Sequence, residues 1–97
     1  MQPDVIIRVR FKTHDEGGRE HAIAVGEKPY GCPLLIGDDA FDCRILISDR
    51  TLQLGETYEL PVKFLRPELA LTRLSVGEPV RLWEGKEIAA GNVVRVV

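Results

Sequence analysis

The sequence predicts an all-β protein: six or seven antiparallel strands that close into a small barrel. Apolar and polar side chains alternate with a period of two over most of the 97 residues, which is the pattern of half-buried strands. No long helical pattern separates the alternating stretches, so parallel βαβ units are excluded. Six or seven antiparallel strands in so short a chain would leave edge strands with unpaired N–H and C=O groups, and closure into a barrel pairs those groups.

The N-terminal half begins with the clearest strand, in which apolar residues alternate with Arg8, Arg10 and Lys12. Paired glycines in the polar stretch at 14–19 predict a turn. Residues 26–33 are rich in Gly and Pro and are predicted to be a connection. The strands predicted in this half are residues 5–11, 22–25, 34–36 and 41–47, and the last two form a hairpin across 37–39.

The C-terminal half is predicted to contain three more strands, after a loop at 48–56. Pro61 cannot donate a hydrogen bond to a ladder, so we expect a bulge or an edge at that position. Residues 69–74 have the composition for about one helical turn, and Gly85 and Lys86 form a tight turn. The three strands are residues 58–64, 80–84 and 88–97.

The composition is that of one soluble domain covering residues 1–97. Thirteen Lys and Arg against fifteen Asp and Glu give a net charge of −2, which disfavours nucleic-acid binding by a generally basic surface. No apolar run approaches the roughly 20 residues of a membrane helix, and Asp4 precedes any apolar run, so no signal peptide is predicted. We therefore expect a cytoplasmic protein with no membrane partner. Because Met1 leads directly into the first strand and Val97 ends the last, we also expect the barrel to be the complete product.

The sequence contains no phosphate-binding loop, no dinucleotide fingerprint and no nucleophile elbow. We therefore expect no enzyme activity, no bound nucleotide and no cofactor. The two cysteines, Cys32 and Cys43, lack the CxxC spacing of zinc and thioredoxin-like sites and are predicted to be small, half-buried side chains. If the hairpin across 37–39 places the two thiols opposite each other, a conditional disulfide is the alternative.

A metal site is a second hypothesis for the polar turn. His14, Asp15, Glu16 and His21 could supply imidazole and carboxylate ligands at the hairpin tip. A solvated tip that closes no cavity binds metal weakly, so we expect no metal there. A metal or thiol enzyme that uses His14, His21 and Cys32 is the least favoured of the functional hypotheses.

Two groups of surface residues are candidates for binding. Arg8 and Arg10 give the first strand a basic face, with Lys28 nearby in sequence, and such a face suits phosphates or an acidic partner. The same charges also solubilise an outer face and protect an edge strand. Trp83 points outward if its two neighbours in the alternation point inward, and an outward tryptophan is a candidate anchor for a partner. Packing under a neighbouring loop is the alternative for this side chain.

A series of short motifs follows one order along about residues 5–97. The series is Asp15-Glu16-Gly17-Gly18-Arg19, Gly26-x-x-Pro29, Leu54-Gly55-Glu56, Arg66-Pro67, and a terminal hairpin with Glu84-Gly85 and Ala89-Ala90-Gly91. In order and spacing this series resembles the C-terminal β-barrel domain of elongation factor Tu, the translational GTPase.

The resemblance implies that the closed antiparallel barrel is six-stranded and Greek-key-like, without an active site. In the family this domain contacts the GTPase domain, the backbone of aminoacyl-tRNA and the nucleotide exchange factor. By the matching motifs, Arg19 corresponds to a hairpin arginine used against the tRNA backbone, and Glu84 and Gly85 correspond to an acid–glycine turn near the same surface. Lys86 and Glu87 stand where the family has a second glycine and an arginine.

Residues and resemblance together predict a stand-alone, non-catalytic binding module that engages a protein partner through an exposed surface patch. The alternative is a weak binder of tRNA or of the translation apparatus that uses the basic strand face, although the net charge disfavours RNA.

Overall fold

The computed structural model describes residues 2–97 and folds them into eight β-strands and three short helical turns. The strands are β1 Val5–Phe11, β2 Ile23–Val25, β3 Tyr30–Ile36, β4 Asp39–Ile45, β5 Arg50–Leu52, β6 Thr57–Phe64, β7 Pro79–Trp83 and β8 Glu87–Val96. The helical turns are α1 Pro67–Ala70 and two 3-10 turns at His14–Glu16 and Leu71–Arg73.

Six strands form a closed barrel in the order β1-β6-β4-β3-β7-β8, and β8 pairs with β1 to complete it. Every neighbouring pair in the barrel is antiparallel. This arrangement confirms the predicted fold class, an all-β protein with a closed antiparallel barrel of six strands. The remaining strands, β2 and β5, form a separate two-stranded sheet.

The strand β5 corrects the sequence analysis, which predicts a loop at 48–56. It pairs with β2 through Arg50, Thr51 and Leu52. Only one of its three residues, Leu52, is apolar, so no alternation marks these positions as a strand. Leu52 is nevertheless fully buried, and together with Ile23 it joins the small sheet to the barrel core.

Two prolines lie within strands, each next to the residue at which the ladder to a second neighbour begins. The start of β3, including Pro33, lies in the stretch predicted to be a connection, so that prediction is wrong. Pro33 is accepted because β3 pairs with β7 only through Leu34 and Leu35, and no ladder there needs an N–H from the proline. In β6, Pro61 is opposite Ile6 of β1, and its carbonyl accepts a hydrogen bond from the N–H of Leu46 at 2.9 Å, just before the register with β4 begins at Val62. This position therefore has neighbours on both sides, and the predicted edge is not there.

The helical segment between β6 and β7 begins earlier than the 69–74 predicted from the sequence. It starts at Pro67 and continues through Arg73 as α1 followed by a 3-10 turn. Proline is accepted in the first turn of a helix because its missing N–H has no intrahelical partner there. Among residues 2–97 there is no helix of the length and apolar character that crossing a bilayer requires.

The barrel interior is apolar throughout. Within residues 2–97 no polar or charged residue is buried. The largest fully buried side chains include those of Phe11, Phe64, Ile7, Leu34 and Leu60. A barrel of this size is filled by its own side chains, so charged and hydrogen-bonding groups lie on its outer surface and in its loops.

Two turns with the same sequence pattern make the same hydrogen bonds. Gly55 has φ 82°, its N–H donates to the carbonyl of Phe11 at 2.8 Å, and the N–H of Phe11 donates to the carbonyl of Glu56 at 3.0 Å. Gly77 has φ 92°, and it and the glutamate that follows make the same pair of bonds with Val93, at 2.8 and 3.0 Å. Glycine takes a positive φ without a steric penalty, so the recurrence in the sequence reflects shared turn chemistry.

Candidate functional site

The turn after β1 is closed by a reciprocal pair of hydrogen bonds. The backbone N–H of Glu16 donates to the Thr13 hydroxyl at 3.3 Å, and the backbone N–H of Thr13 donates to the Glu16 carboxylate at 2.9 Å. This is a capping box, which satisfies two backbone donors that a helical turn leaves free. Gly17 ends the turn in the left-handed region at φ 90°. The turn therefore has a defined shape and gives the chain that follows a fixed direction.

Gly18 brings the chain back against β1. A Cβ at this position would lie 2.5 Å from the carbonyl oxygen of Lys12, so only glycine fits. The close approach directs the next residue, Arg19, away from β1. Both glycines of the D-E-G-G-R motif thus have a structural role, and together they determine where the arginine lies.

Arg19 forms an ion pair with Glu84. Its Nη1 lies 3.0 and 2.8 Å from the two carboxylate oxygens, and its Nε donates to the carbonyl of His21 at 3.1 Å. The two side chains are 26% and 32% exposed. The two residues that the family resemblance singles out in separate motifs, 65 positions apart, are therefore in direct contact.

Glu84 begins the turn between β7 and β8. Its N–H donates to the carbonyl of Lys86 at 2.9 Å, and Gly85 takes φ 70° between them. The ion pair with Arg19 therefore joins the β7–β8 turn to the segment that leads into β2. A single substitution at either partner would separate two loops that the structure holds side by side.

Trp83 lies next to this ion pair at the end of β7. Val80 and Leu82 are buried in the barrel, and Trp83 is half-buried on the other side of the strand. Its register partner in β8 is Glu87. We use the term Trp83 patch for Arg19, Trp83, Glu84 and Gly85.

Glu87, the register partner of Trp83, pairs with two cations: Lys12, directly after β1, and Arg81 of β7. Its carboxylate lies 2.8 Å from Nζ of Lys12 and 3.6 Å from Nη1 of Arg81. The hydrogen bond from Lys12 holds the pKa of the Glu87 carboxyl below its ordinary value, and the charges of Lys12 and Arg81 act in the same direction. Glu87 is therefore ionised in the folded protein over a wider pH range than an isolated glutamate.

Replacing Glu87 with Gln is expected to remove part of the acid sensitivity of the fold. Because the pKa of Glu87 is lower in the folded than in the unfolded chain, the ionised carboxylate stabilises the fold above its ordinary pKa, and this stabilisation is lost as the pH falls through the folded value. The free energy of unfolding of Glu87→Gln should lie below that of wild type at about pH 7 and approach it near about pH 3. Urea unfolding at both pH values measures this difference. An equal deficit at both values would contradict the assignment.

The basic face of β1 carries its own counter-ions. Arg8 pairs with Glu59 of β6, Arg10 pairs with Glu16 at 2.9 Å, and Lys12 pairs with Glu87. Each carboxylate lowers the positive potential that a phosphate backbone would meet on this face. The remaining candidate of this group, Lys28, is exposed in the loop before β3 and makes no ion pair among the described residues.

The two cysteines lie directly opposite each other in the β3–β4 hairpin. Both are buried, which corrects the prediction of half-buried side chains, and both are free thiols. The Cys43 thiol donates to the carbonyl of Cys32 at 3.2 Å. Hydrogen bonding with Cys32 and burial raise the pKa of Cys43, so this thiol stays protonated and is a poor nucleophile.

The histidines do not join the cysteines. His14 and His21 are exposed in the loops after β1, whereas the cysteines face the barrel interior. Among the described residues no three or more His, Cys, Asp or Glu side chains come together in a way that could hold a metal ion. The hypothesis of a metal or thiol centre at His14, His21 and Cys32 therefore finds no assembled site in residues 2–97.

Comparison with known proteins bears on the fold. No protein-family model and no curated protein matches the sequence. A solved structure does match: the crystal structure of Sup35 complexed with GDP, with a TM-score of 0.64 and 14% identity. The match covers 99% of this chain and 26% of the Sup35 chain, so this chain spans about a quarter of the length of that protein. The fold of this chain is therefore similar to that of part of the Sup35 chain.

Proposed function

We propose that this chain is a non-catalytic protein-binding module, built on a barrel of the kind found as the C-terminal domain of elongation factor Tu. In this proposal the Trp83 patch is the surface that engages the partner. The observation that carries the proposal is the Arg19–Glu84 ion pair, which holds two loops in one arrangement beside a half-buried tryptophan. A preformed surface of this kind pays little ordering entropy when a partner binds.

The nature of the barrel supports a role in binding. With an apolar interior, the polar groups available for recognition are those on the outside. An aromatic side chain with one accessible face, bordered by a charged pair, is the usual composition of an interface anchor. The similarity in fold to part of a translation GTPase is compatible with a module that works by contact with other macromolecules.

A protein partner is favoured over RNA by the charges on the surface. The net charge is −2, and the three cations that line β1 are each paired with a carboxylate. Binding to a phosphate backbone depends on unpaired cations that release counter-ions. Within the Trp83 patch, the negative charge of the Glu84 carboxylate also repels phosphate.

The test compares wild type with Trp83→Ala in affinity capture from cells that express the protein naturally. We expect Trp83→Ala to lose a specific protein that wild type retains, while a control substitution at an exposed residue elsewhere, Val76→Ala, retains it. The thermal unfolding midpoints of Trp83→Ala and Val76→Ala should be close to that of wild type, which shows that a loss of binding does not come from unfolding. Because Trp83 is the only tryptophan, its fluorescence should shift to shorter wavelength when the purified partner is added.

Two results would contradict the proposal. One is capture of the same protein by wild type and by Trp83→Ala with equal affinity. The other is retention of purified tRNA in a gel shift that weakens steeply between low and moderate salt, which would establish the RNA-binding alternative.

A further inference from the structure

The strand β4 is paired along only half of its length on the side that faces β6. The β4–β6 ladder contains only Cys43, Arg44 and Ile45 of β4. One more hydrogen bond follows, in which the N–H of Leu65 donates to the carbonyl of Asp42 at 3.1 Å. Beyond Leu65 the chain turns away into α1, so the first half of β4 has no neighbour on this side among the described residues.

The unpaired half presents free backbone groups at Ala40. In an antiparallel strand, residues two apart direct their N–H and C=O groups to the same side. The carbonyl of Asp42 points toward β6, as its bond with Leu65 shows, so the N–H and C=O of Ala40 point the same way. No hydrogen bond to either group is present within residues 2–97 on that side.

An apolar groove runs beside this open half-edge. Leu65 and Leu69 are 49% and 50% exposed, although leucine is among the residue types that are most often buried. The ring of Phe41 is half-buried, and the guanidinium carbon of Arg73 lies over it, 5.8 Å from the ring centroid. The same guanidinium donates a hydrogen bond to the Asp39 carboxylate at 2.7 Å, which holds the β4 side of the groove in place. The groove is lined by Ala40, Phe41, Asp42, Leu65, Arg66 and Leu69.

The two walls of the groove carry opposite charges. On the α1 side, the Arg66 side chain is 73% exposed, and its one ion pair within residues 2–97 is with Glu68, at 3.4 Å. On the β4 side, Asp42 is exposed and makes no ion pair among the described residues. An exposed pair such as Arg66–Glu68 contributes little to stability, so Arg66 can exchange its partner at small cost.

We propose that the open half-edge of β4 and the groove beside it bind an extended segment of a partner protein, which adds to the sheet as a short strand next to Ala40. The backbone of the segment pairs with the N–H and C=O of Ala40, and an apolar side chain occupies the space between Phe41 and the two leucines. An acidic residue beside that anchor complements Arg66, and a basic residue on its other side complements Asp42. A segment in which the apolar anchor stands between an acidic and a basic residue therefore complements the charges on both sides of the groove.

Ala40→Pro is the sharpest probe of this surface. The substitution removes the free N–H and leaves every hydrogen bond of the fold in place, and proline is accepted at the edge of a sheet. Leu69→Ser removes the apolar wall at an exposed position and serves as a second, independent variant. Val76→Ala is the matched control, because Val76 is exposed and lies outside both the groove and the Trp83 patch.

The experiment selects ligands from a displayed library of random seven-residue peptides on wild type, with no selection against any variant. The enriched peptides are synthesised with a fluorescent label, and their affinity for each variant is measured by fluorescence anisotropy. We expect enriched peptides in which an apolar residue stands between an acidic and a basic residue. We expect Ala40→Pro and Leu69→Ser each to weaken binding about tenfold, and Val76→Ala to leave it unchanged.

Several outcomes would overturn the proposal. They are an absence of enriched peptides, peptides that bind all variants equally, and enriched peptides with the three- and four-residue apolar spacing of a helix. A dimer of this chain in solution that Ala40→Pro dissociates would also overturn it, because the occupant would then be a second copy. If Ala40→Pro does not fold, Leu69→Ser and Leu65→Ser decide the result. Failure here leaves the Trp83 patch untested, since the two surfaces use different residues.

Discussion

Gly91→Ala is expected to destabilise the barrel by about 3 kcal/mol or more, which is a large part of the roughly 5–15 kcal/mol that holds a domain of this size together. Gly91 lies in β8, opposite Val9 of β1 on one side and Val80 of β7 on the other. A methyl group there would collide with the carbonyl oxygen of Arg8 and come within 2.8 Å of the Val9 backbone. Backbone cannot rotate out of the way as a side chain can, so β1 and β8 would have to separate.

Urea unfolding followed by circular dichroism measures this effect, and Gly26→Ala is the matched control. A Cβ at Gly26 would meet nothing within 4 Å, and the residue lies in an exposed loop. The control should therefore change the free energy of unfolding by no more than about 0.5 kcal/mol. A folded Gly91→Ala protein of wild-type stability would show that β1 and β8 are not packed as described.

Phe11→Ala is expected to cost about 3–5 kcal/mol of unfolding free energy. Phe11 is fully buried at the end of β1, and its ring meets that of Tyr58 edge to face, with centroids 6.0 Å apart and an interplanar angle of 70°. Removing the ring leaves a cavity in the barrel and also removes the ring contact that holds Tyr58 in position. The hydroxyl of Tyr58 accepts a hydrogen bond from the N–H of Gln53 at 2.8 Å, so this bond is weakened too. Thermal and urea unfolding of the variant give the magnitude.

Tyr58→Phe is the control for this prediction because it keeps the ring contact with Phe11 and removes one hydrogen bond. It should cost about 1 kcal/mol. A cost for Phe11→Ala no larger than that of Tyr58→Phe would mean that the end of the barrel near Phe11 is loosely packed.

The strands that the sequence predicts best are those with a long, strict alternation. β1 is predicted at its observed bounds because Val5, Ile7, Val9 and Phe11 recur at every second position, with Ile6 the one other apolar residue among its seven. β5 is missed because only one of its three residues is apolar, and its place depends on pairing with β2, a contact between distant parts of the chain. The start of β3 was missed because glycine and proline usually mark turns, and whether a proline fits a strand depends on which neighbour that strand has.

The candidate surfaces were less accessible to sequence reasoning than the fold. Arg19 and Glu84 were chosen from separate motifs, but nothing in the sequence shows that their side chains meet. Likewise, the counter-ions of Arg8 and Arg10 come from β6 and from the turn after β1. The groove beside β4 was not predicted at all. Its only signal in the sequence is a pair of leucines on either side of the Arg66-Pro67 break, and such a pair is more commonly buried.

The period-two alternation and the positions of glycine and proline were enough, by themselves, to determine that this chain forms a closed antiparallel barrel, because burial of one face and protection of the edges leave few other solutions. Only the tertiary structure decided which charges neutralise one another and which stretch of strand is left without a neighbour. The physical reason is that side-chain periodicity is a local property, whereas ion pairs and free edges depend on which distant segments the closed sheet brings side by side.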